Sequence, residues 1–303
     1  MQQAQRLVAK IQLNIERARA RSSAVDVTIQ TFKSFSAADG SSYTAALTYY
    51  FFFSIFPLLL ATAAILGYLT LGNESLRQTL LDAGLRSVPL LQSILSKETL
   101  ETIEAQRQSM AATAVVLALY TGTGSVVALE HALNKIHGVS EEGSFLTKRL
   151  AALKWLVFLG GATIVSLALG ALSGYATEVF DGTVAVTLGW ALGHVAGGAV
   201  GVLIFATAYK VLPARVAGWR DVLPGAICAA IAFEVLKEVG TWYLERGAQG
   251  RAETFGTLAA AAGFLVASFL IAQVTLLSAT LNDVLAQRRL TRQSMGEGED
   301  RDG

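Results

Sequence analysis

Phe255–Asn282 reads FGTLAAAAGFLVASFLIAQVTLLSATLN and holds no Asp, Glu, Lys or Arg. A helix rises about 1.5 Å per residue, so about 20 apolar residues match the ~30 Å hydrocarbon core of a bilayer. Two further stretches, Trp155–Thr177 and Gly182–Tyr209, are equally uncharged and equally long enough to cross. Gly40–Asn73 and Met110–Leu129 also lack charge. A sixth candidate, Val222–Leu244, is apolar except for Glu234, Lys237 and Glu238.

Composition agrees with a bilayer as the solvent. The chain of 303 residues is 53% hydrophobic and 16% charged, with a mean hydropathy of +0.49, whereas soluble domains carry about 25% charged residues. Six spans absorb about half of the length, which leaves connections and tails rather than a second domain. A net charge of +1 excludes a globally basic nucleic-acid binder. The single Cys228 has no partner for a disulfide and reads as a small core residue. The first 44 residues are polar and basic, so no cleavable signal is expected and the first apolar run should remain as an anchor.

The fold class expected is therefore all-α, a polytopic membrane protein built as a six-transmembrane-helix bundle with short amphipathic capping helices. Residues 1–38 should form a basic amphipathic arm on the cytoplasmic side, with Leu7, Ile11 and Ile15 at helical spacing and a second short run at Val25–Phe35. Residues 39–285 hold the spans, at about 45–71, 110–133, 154–176, 184–210, 221–244 and 255–282. The connection Asn73–Ser109 has helical spacing of leucines and should form short capping helices. A polar loop with Glu141, Glu142, Lys148 and Arg149 should lead into span three. Residues 286–303 should be a disordered cytoplasmic tail, polar and acidic at its end.

Charge placement orients the bundle. Alternating connections carry seventeen Arg and Lys on the side with both termini and six on the other. An even number of spans with N- and C-termini in the cytoplasm is what the positive-inside rule then requires. Trp219 at one end of span five, with Trp242 and Tyr243 at the other, suits two interfacial belts.

Several residues within the spans bear on packing. Pro57 removes a backbone donor near the middle of span one, so a kink or break is expected there. Gly189, Gly193, Gly197 and Gly201 repeat every four residues and leave one face of span four without side chains. Close packing inside the chain is the favoured use of that stripe, and a homo-oligomer seam is the alternative. Leu212-Pro213 should end a helix, and Leu223-Pro224-Gly225 should begin one.

Motifs carry a resemblance across about Phe32 to Asp283. Asp39 with Ala45-Ala46-Leu47, Tyr49-Tyr50, Phe53-Ser54 and Phe56-Pro57-Leu58 resembles the first-span signature of the YihY/BrkB family of bacterial inner-membrane proteins. Leu133-Asn134 with Ile136 and Val139, then Trp219–Ala226, then Gly256 with Leu258-Ala259, are similar to that family's later motifs. Where the family commonly has Gly-Ala-Glu-Leu-Asn this chain has Ser278–Asn282, with Thr280 in place of the acid. The resemblance implies a six-helix protein of the bacterial cytoplasmic membrane without a settled biochemical activity. Relatives have been labelled ribonuclease BN, virulence factor or serum-resistance factor, and some are suspected of transport.

Chemistry concentrates at Glu234, about 12 residues and ~18 Å into span five. A carboxylate at that depth costs a few kcal/mol unless it is protonated, paired or facing water. Lys237 and Glu238 share its helical face, so an internal ion pair is open to it. The three are candidates to bind an ion or a substrate headgroup, with a self-satisfied network as the competing account. Asp39, Asn134, Asn282 and Asp283, with Glu130 and His131, gather at the cytoplasmic boundary as a gate or headgroup site, or as caps. His194 and Gln273 read as isolated polar residues bonding nearby backbone.

No catalytic residue, metal ligand set or cofactor is expected. The three histidines, His131, His137 and His194, form no ligand motif, and phosphate-loop and nucleophile-elbow patterns are absent from the sequence. The function expected is binding or transport of a lipid-like or small amphipathic molecule through a polar cavity lined by spans one, five and six. A structural or envelope-assembly protein is the competing class, and a ribonuclease ranks last. The partners expected are membrane lipids, with no nucleic acid.

Overall fold

A computed structural model describes the backbone of residues 22–69, 107–139, 144–179, 183–215 and 217–299, with side chains described over a narrower set. Among these the chain is helical, in the order α1 (Ser23–Ala37), α2 (Gly40–Leu69), α3 (Arg107–Ile136), α4 (Phe145–Val179), α5 (Thr183–Val211) and α6 (Trp219–Glu299). The expected amphipathic segment before residue 22 and the capping helices of 73–106 lie outside the described residues.

Four stretches among the described residues are long and apolar enough to cross a membrane: Val116–Ile136, Phe145–Ser166, Gly193–Val211 and Ala261–Ser294. They coincide with the expected second, third, fourth and sixth spans. Their surfaces show which solvent they suit. Val157, Ile164 and Val195 are each about two-thirds or more exposed, and apolar side chains spread over the outside of a bundle belong in lipid.

α6 is the unusual element. Helical backbone is continuous over Trp219–Glu299, yet the Gly225 N–H donates to Asn282 Oδ1, 57 residues later. A straight helix would separate those residues by ~85 Å. The chain therefore reverses within α6, and its two arms run antiparallel. No open loop separates the fifth and sixth segments in the way the sequence suggests.

α2 packs on α3 and on α6, α5 packs on α4 and α6, α3 on α4, and α1 on α6. The core where they meet is built from Leu47, Leu133, Leu276, Tyr209, Trp155 and many alanines, among them Ala132, Ala226, Ala229, Ala272 and Ala279. Small residues let backbones approach in lipid, where association is driven by packing and not by expulsion of water. Buried hydroxyls are satisfied locally: Thr44 donates to Gly40 O, Thr48 to Thr44 O, Thr275 to Ile271 O. The Tyr209 hydroxyl reaches across to the Thr275 carbonyl at 2.9 Å.

Two local devices set the entry to the bundle. Between α1 and α2, Asp39 sits at φ +56, a conformation that Asp tolerates better than most residues. Its carbonyl accepts the Ser42 and Tyr43 N–H groups, and its side chain accepts the Ser42 hydroxyl at 2.9 Å. The next residue must be Gly40, because a Cβ there would run into the Phe35 ring.

The second device is Pro224. It does not open a helix as the sequence suggests; α6 begins at Trp219 and takes Pro224 in its interior. Proline has no N–H, so the Arg220 carbonyl one turn earlier loses its helical donor. Arg289 Nη1 takes that carbonyl at 3.0 Å. Asn282 completes the repair, accepting the Gly225 N–H at 2.6 Å and donating Nδ2 to the Val222 carbonyl at 3.1 Å. The arms touch so closely there that a Cβ on Gly225 would collide with the Ser278 carbonyl and the Asn282 amide.

Helical backbone in α2 continues through Pro57 to Leu69, and the Pro57 side chain lies outside the described set. Two other expectations need correction. Cys228 is exposed and not in the core. The tail expected to be disordered from residue 286 is helical to Glu299. It is held because Arg288 donates to Asp26 and to Gln30 of α1, which gives the basic end of α6 a surface to pair with.

Asn282→Leu leaves the Gly225 N–H and Val222 carbonyl without their side-chain partner in a buried seam. The expected cost is about 2–6 kcal/mol, at about 1–3 kcal/mol per orphaned group. Thermal unfolding of the detergent-purified protein should show a lowered midpoint, and an unchanged one would rule out the stitch as a stabilising contact.

Candidate functional site

Polar chemistry collects in two places. The first is the end of the bundle where α3 finishes and α6 begins. Asn134 is buried and its Oδ1 accepts the Ala214 N–H at 2.8 Å, just beyond the Pro213 break that ends α5. Asn134 O also accepts the Val139 N–H, closing the α3 terminus. Asp283 pairs with Arg215 and lies 3.6 Å from His137 Nδ1. That nitrogen is buried and has no hydrogen-bond partner among the described residues. His137, Arg215 and Asp283 border a cavity of about 20 Å³ with Tyr209, Asp221 and Asn282 on its wall, room for a single water.

The boundary residues named from sequence thus divide. Asn134, Asn282 and Asp283 come together, with Arg215 and His137, which sequence reading did not single out. Asp39 does not join them in a contact; it caps α2, and Tyr43 one turn on stacks edgewise on His131 at 5.6 Å. Asn134 and Asn282 spend their amides on backbone groups, so their visible work is structural. Thr280, in place of the family's acid, is buried and donates its hydroxyl to Leu276 O.

The second place is the seam between α5 and the first arm of α6. His194, Gly197 and Gly201 share one face of α5. Opposite them, in antiparallel order, stand Glu238, Glu234 and Ala230. Gly201 meets Ala230, and a Cβ on Gly197 would lie 3.6 Å from Glu234 Oε1. The glycine stripe is therefore internal packing at these two positions. Gly193 is half-buried, and the side-chain environment of Gly189 lies outside the described set.

Glycine at these positions brings four ionisable groups into one row. Lys237 Nζ is 2.7 Å from Glu234 Oε1 and lies over the Phe233 ring. Glu238 turns the other way and meets His194 Nε2 at 3.0 Å. His194 is thus no isolated residue bonding nearby backbone; its partner is a carboxylate on another arm. The inner pair is the more enclosed, with Glu234 at 23% exposure against 66% for Glu238. A signal was present in the sequence: His194 stands one turn before Gly197, on the face that approaches span five.

A third feature has no counterpart in the sequence reading. Arg149, expected in a polar loop, lies in α4 and donates Nη1 to the Tyr120 carbonyl at 2.7 Å and to Thr123 Oγ1 at 2.6 Å.

Among the described residues no group of three or more His, Cys, Asp or Glu is arranged to hold a metal. A cluster of acid–base pairs on a lipid-facing seam can bind polar groups or shuttle a proton. It presents no activated nucleophile with a base and an oxyanion pocket.

The profile of the family described as virulence factor BrkB matches residues 31–302. A ribonuclease-like protein, YfkH of Bacillus subtilis (strain 168), is 23% identical over 86% of this chain and 95% of its own length. The inner membrane protein YhjD of Escherichia coli (strain K12) is 26% identical over 68% of this chain and 65% of its own. UPF0761 membrane protein RSc1559 of Ralstonia nicotianae is 30% identical over 57% of this chain, but only 39% of its own length is covered. The chain thus spans less than two thirds of the latter two. No solved structure is significantly similar to it.

In the cavity cluster, removing one partner of Asp283 should leave the other charge uncompensated. A double-mutant cycle of Asp283→Asn with Arg215→Ala, read by thermal unfolding, is expected to give a coupling of about 1 kcal/mol or more. Additive losses would show that the pair carries no stability.

Proposed function

This chain belongs to the virulence factor BrkB family, and we propose that it is a six-span protein of the bacterial cytoplasmic membrane that binds and moves a lipid-like or small amphipathic molecule along the α5–α6 seam. The observation that carries this reading is the row Glu234, Lys237, His194 and Glu238 between two apolar segments. Ionisable groups inside a membrane cost a few kcal/mol each and persist where a substrate or proton uses them. One end of the row is enclosed and the other open, which suits a molecule with a polar head that enters from the side.

Six crossings follow if α2 and the first arm of α6 join the four apolar stretches. α2 is 30 residues long and carries no charged side chain. The first arm carries three charges in its middle, and pairing offsets part of their cost. The excess of Arg and Lys on alternate connections supports cytoplasmic termini.

A second reading has its own support. Both acids of the row have partners in the structure, as they would in a scaffold whose charges serve only packing. The name of the Bacillus relative belongs to that protein; this chain carries no hydrolytic motif in its sequence, and enzyme activity ranks last.

Proteoliposomes with a fluorescent short-chain phosphatidylethanolamine as the probe separate these readings. The wild type should speed loss of leaflet asymmetry, and Glu234→Gln should slow it by about tenfold, the loss of one charge-assisted contact. No acceleration by wild type, with a lowered unfolding midpoint in Glu234→Gln, would favour the scaffold. For topology, reporters fused at residue 90 and at either terminus should fall on opposite sides of the membrane. The same side for residue 90 and the termini would exclude six spans in this orientation.

A further inference from the structure

We propose that Arg149 and the aromatic rings around it form a binding site for the phosphate of an anionic glycerophospholipid, seated in the groove between α2, α3 and α4. The proposal rests on the chain being a multi-pass membrane protein and not on movement of any substrate.

Arg149 carries a delocalised positive charge, yet its acceptors are neutral: the Tyr120 carbonyl and the Thr123 hydroxyl. Thr123 Oγ1 also donates to its own helix, to the Leu119 carbonyl, so it contributes no charge. Both contacts use Nη1. Nε is buried without a partner, and Nη2 meets no acceptor among the described residues. The guanidinium is therefore positioned by the protein but not neutralised by it, and Nη2 is the donor left open to form a charge-assisted hydrogen bond with a phosphate oxygen.

Its surroundings fit the edge of a bilayer. Arg149 lies four residues beyond Phe145, the first residue of the apolar stretch of α4, or ~6 Å along the helix. That depth is the boundary between headgroups and acyl chains, where amphipathic faces bury about 5–10 Å. Its Cζ stands 4.8 Å from the Tyr120 ring and 5.2 Å from the Phe145 ring. Both rings are more than half exposed, and Tyr50 beside them is 42% exposed. Gly124 keeps the floor open: a Cβ there would lie 3.6 Å from both the Arg149 guanidinium and the Tyr50 ring. Tyrosine rings of this kind sit at headgroup level.

Charge complementarity selects the lipid. A zwitterionic headgroup brings its own cation to the phosphate, whereas phosphatidylglycerol leaves the phosphate charge for Arg149. Native mass spectrometry of the full chain, exchanged with phosphatidylglycerol or phosphatidylcholine of the same acyl chains, tests this directly. The wild type should retain phosphatidylglycerol over phosphatidylcholine by about tenfold, and Arg149→Gln should abolish the preference. Glu234→Gln should leave it intact, which separates this site from the seam. Equal retention of the two lipids by wild type overturns the proposal, as does a preference that survives Arg149→Gln. If that variant does not fold, Arg149→Met decides: it keeps an unbranched apolar stem and loses the charge, so an unchanged preference also overturns the site.

Discussion

A helix in hydrocarbon has no water to repair a missing hydrogen bond, so every gap in the backbone ladder must be closed by another part of the protein. Pro224 makes such a gap in α6, and the opposite arm of the same helix closes it. Asn282 holds the Gly225 N–H and the Val222 carbonyl, while Arg289 holds the carbonyl of Arg220. The repair works only if the arms lie in one register, because an amide has a single orientation in which it can accept from one residue and donate to another three earlier. Pro224 thus fixes the hairpin of α6, and the hairpin carries the seam on which α5 packs.

Close approach then decides where charges go. Gly225 lets the arms touch, and Gly197 and Gly201 let α5 touch the first arm. A Cβ at Gly197 would already touch Glu234, so a larger side chain would fill the space beside it. Glu234 finds its partner Lys237 one turn along its own helix, and close approach of α5 gives Glu238 its partner His194. Pairing makes Glu234 less costly; it does not explain why a carboxylate stands there, and a leucine would pack at less cost.

The apolar runs were readable because hydrocarbon thickness imposes a length that single residues do not disturb, and four of the expected spans recur as apolar helical stretches. Of the boundary residues, Asn282 and Asp283 share the wall of one cavity and Asn134 bonds the chain beside it, while Asp39 caps α2 elsewhere. Asn134 and Asn282 looked like ligands for a headgroup because sequence shows an amide and hides the backbone group it bonds. Both partners, Ala214 and Gly225, are created by prolines one residue before them, so Pro213 and Pro224 were the available signal. His194 was read as solitary since its partner lies 44 residues away on another helix. Arg149 was assigned to a loop because charge was taken to end a span, whereas its long side chain reaches back over α3 and leaves its helix free to begin earlier.

The two polar regions differ in how they are held. At the α3 end the joins are between side chain and backbone: Asn134 to Ala214, Asn282 to Gly225 and Val222, Tyr209 to Thr275. Breaking one of those removes a hydrogen bond from a main-chain group in a buried setting. Along the α5–α6 seam the joins are between side chains. Glu234 pairs with Lys237 on its own arm, and among the charged residues of the row the Glu238–His194 contact spans the two helices. Separation there exposes groups that remain paired or that can meet a polar headgroup instead. The α3 end is accordingly held through main-chain groups, while the charged row adds a carboxylate–imidazole contact between α5 and α6 whose loss leaves the Pro224 repair untouched.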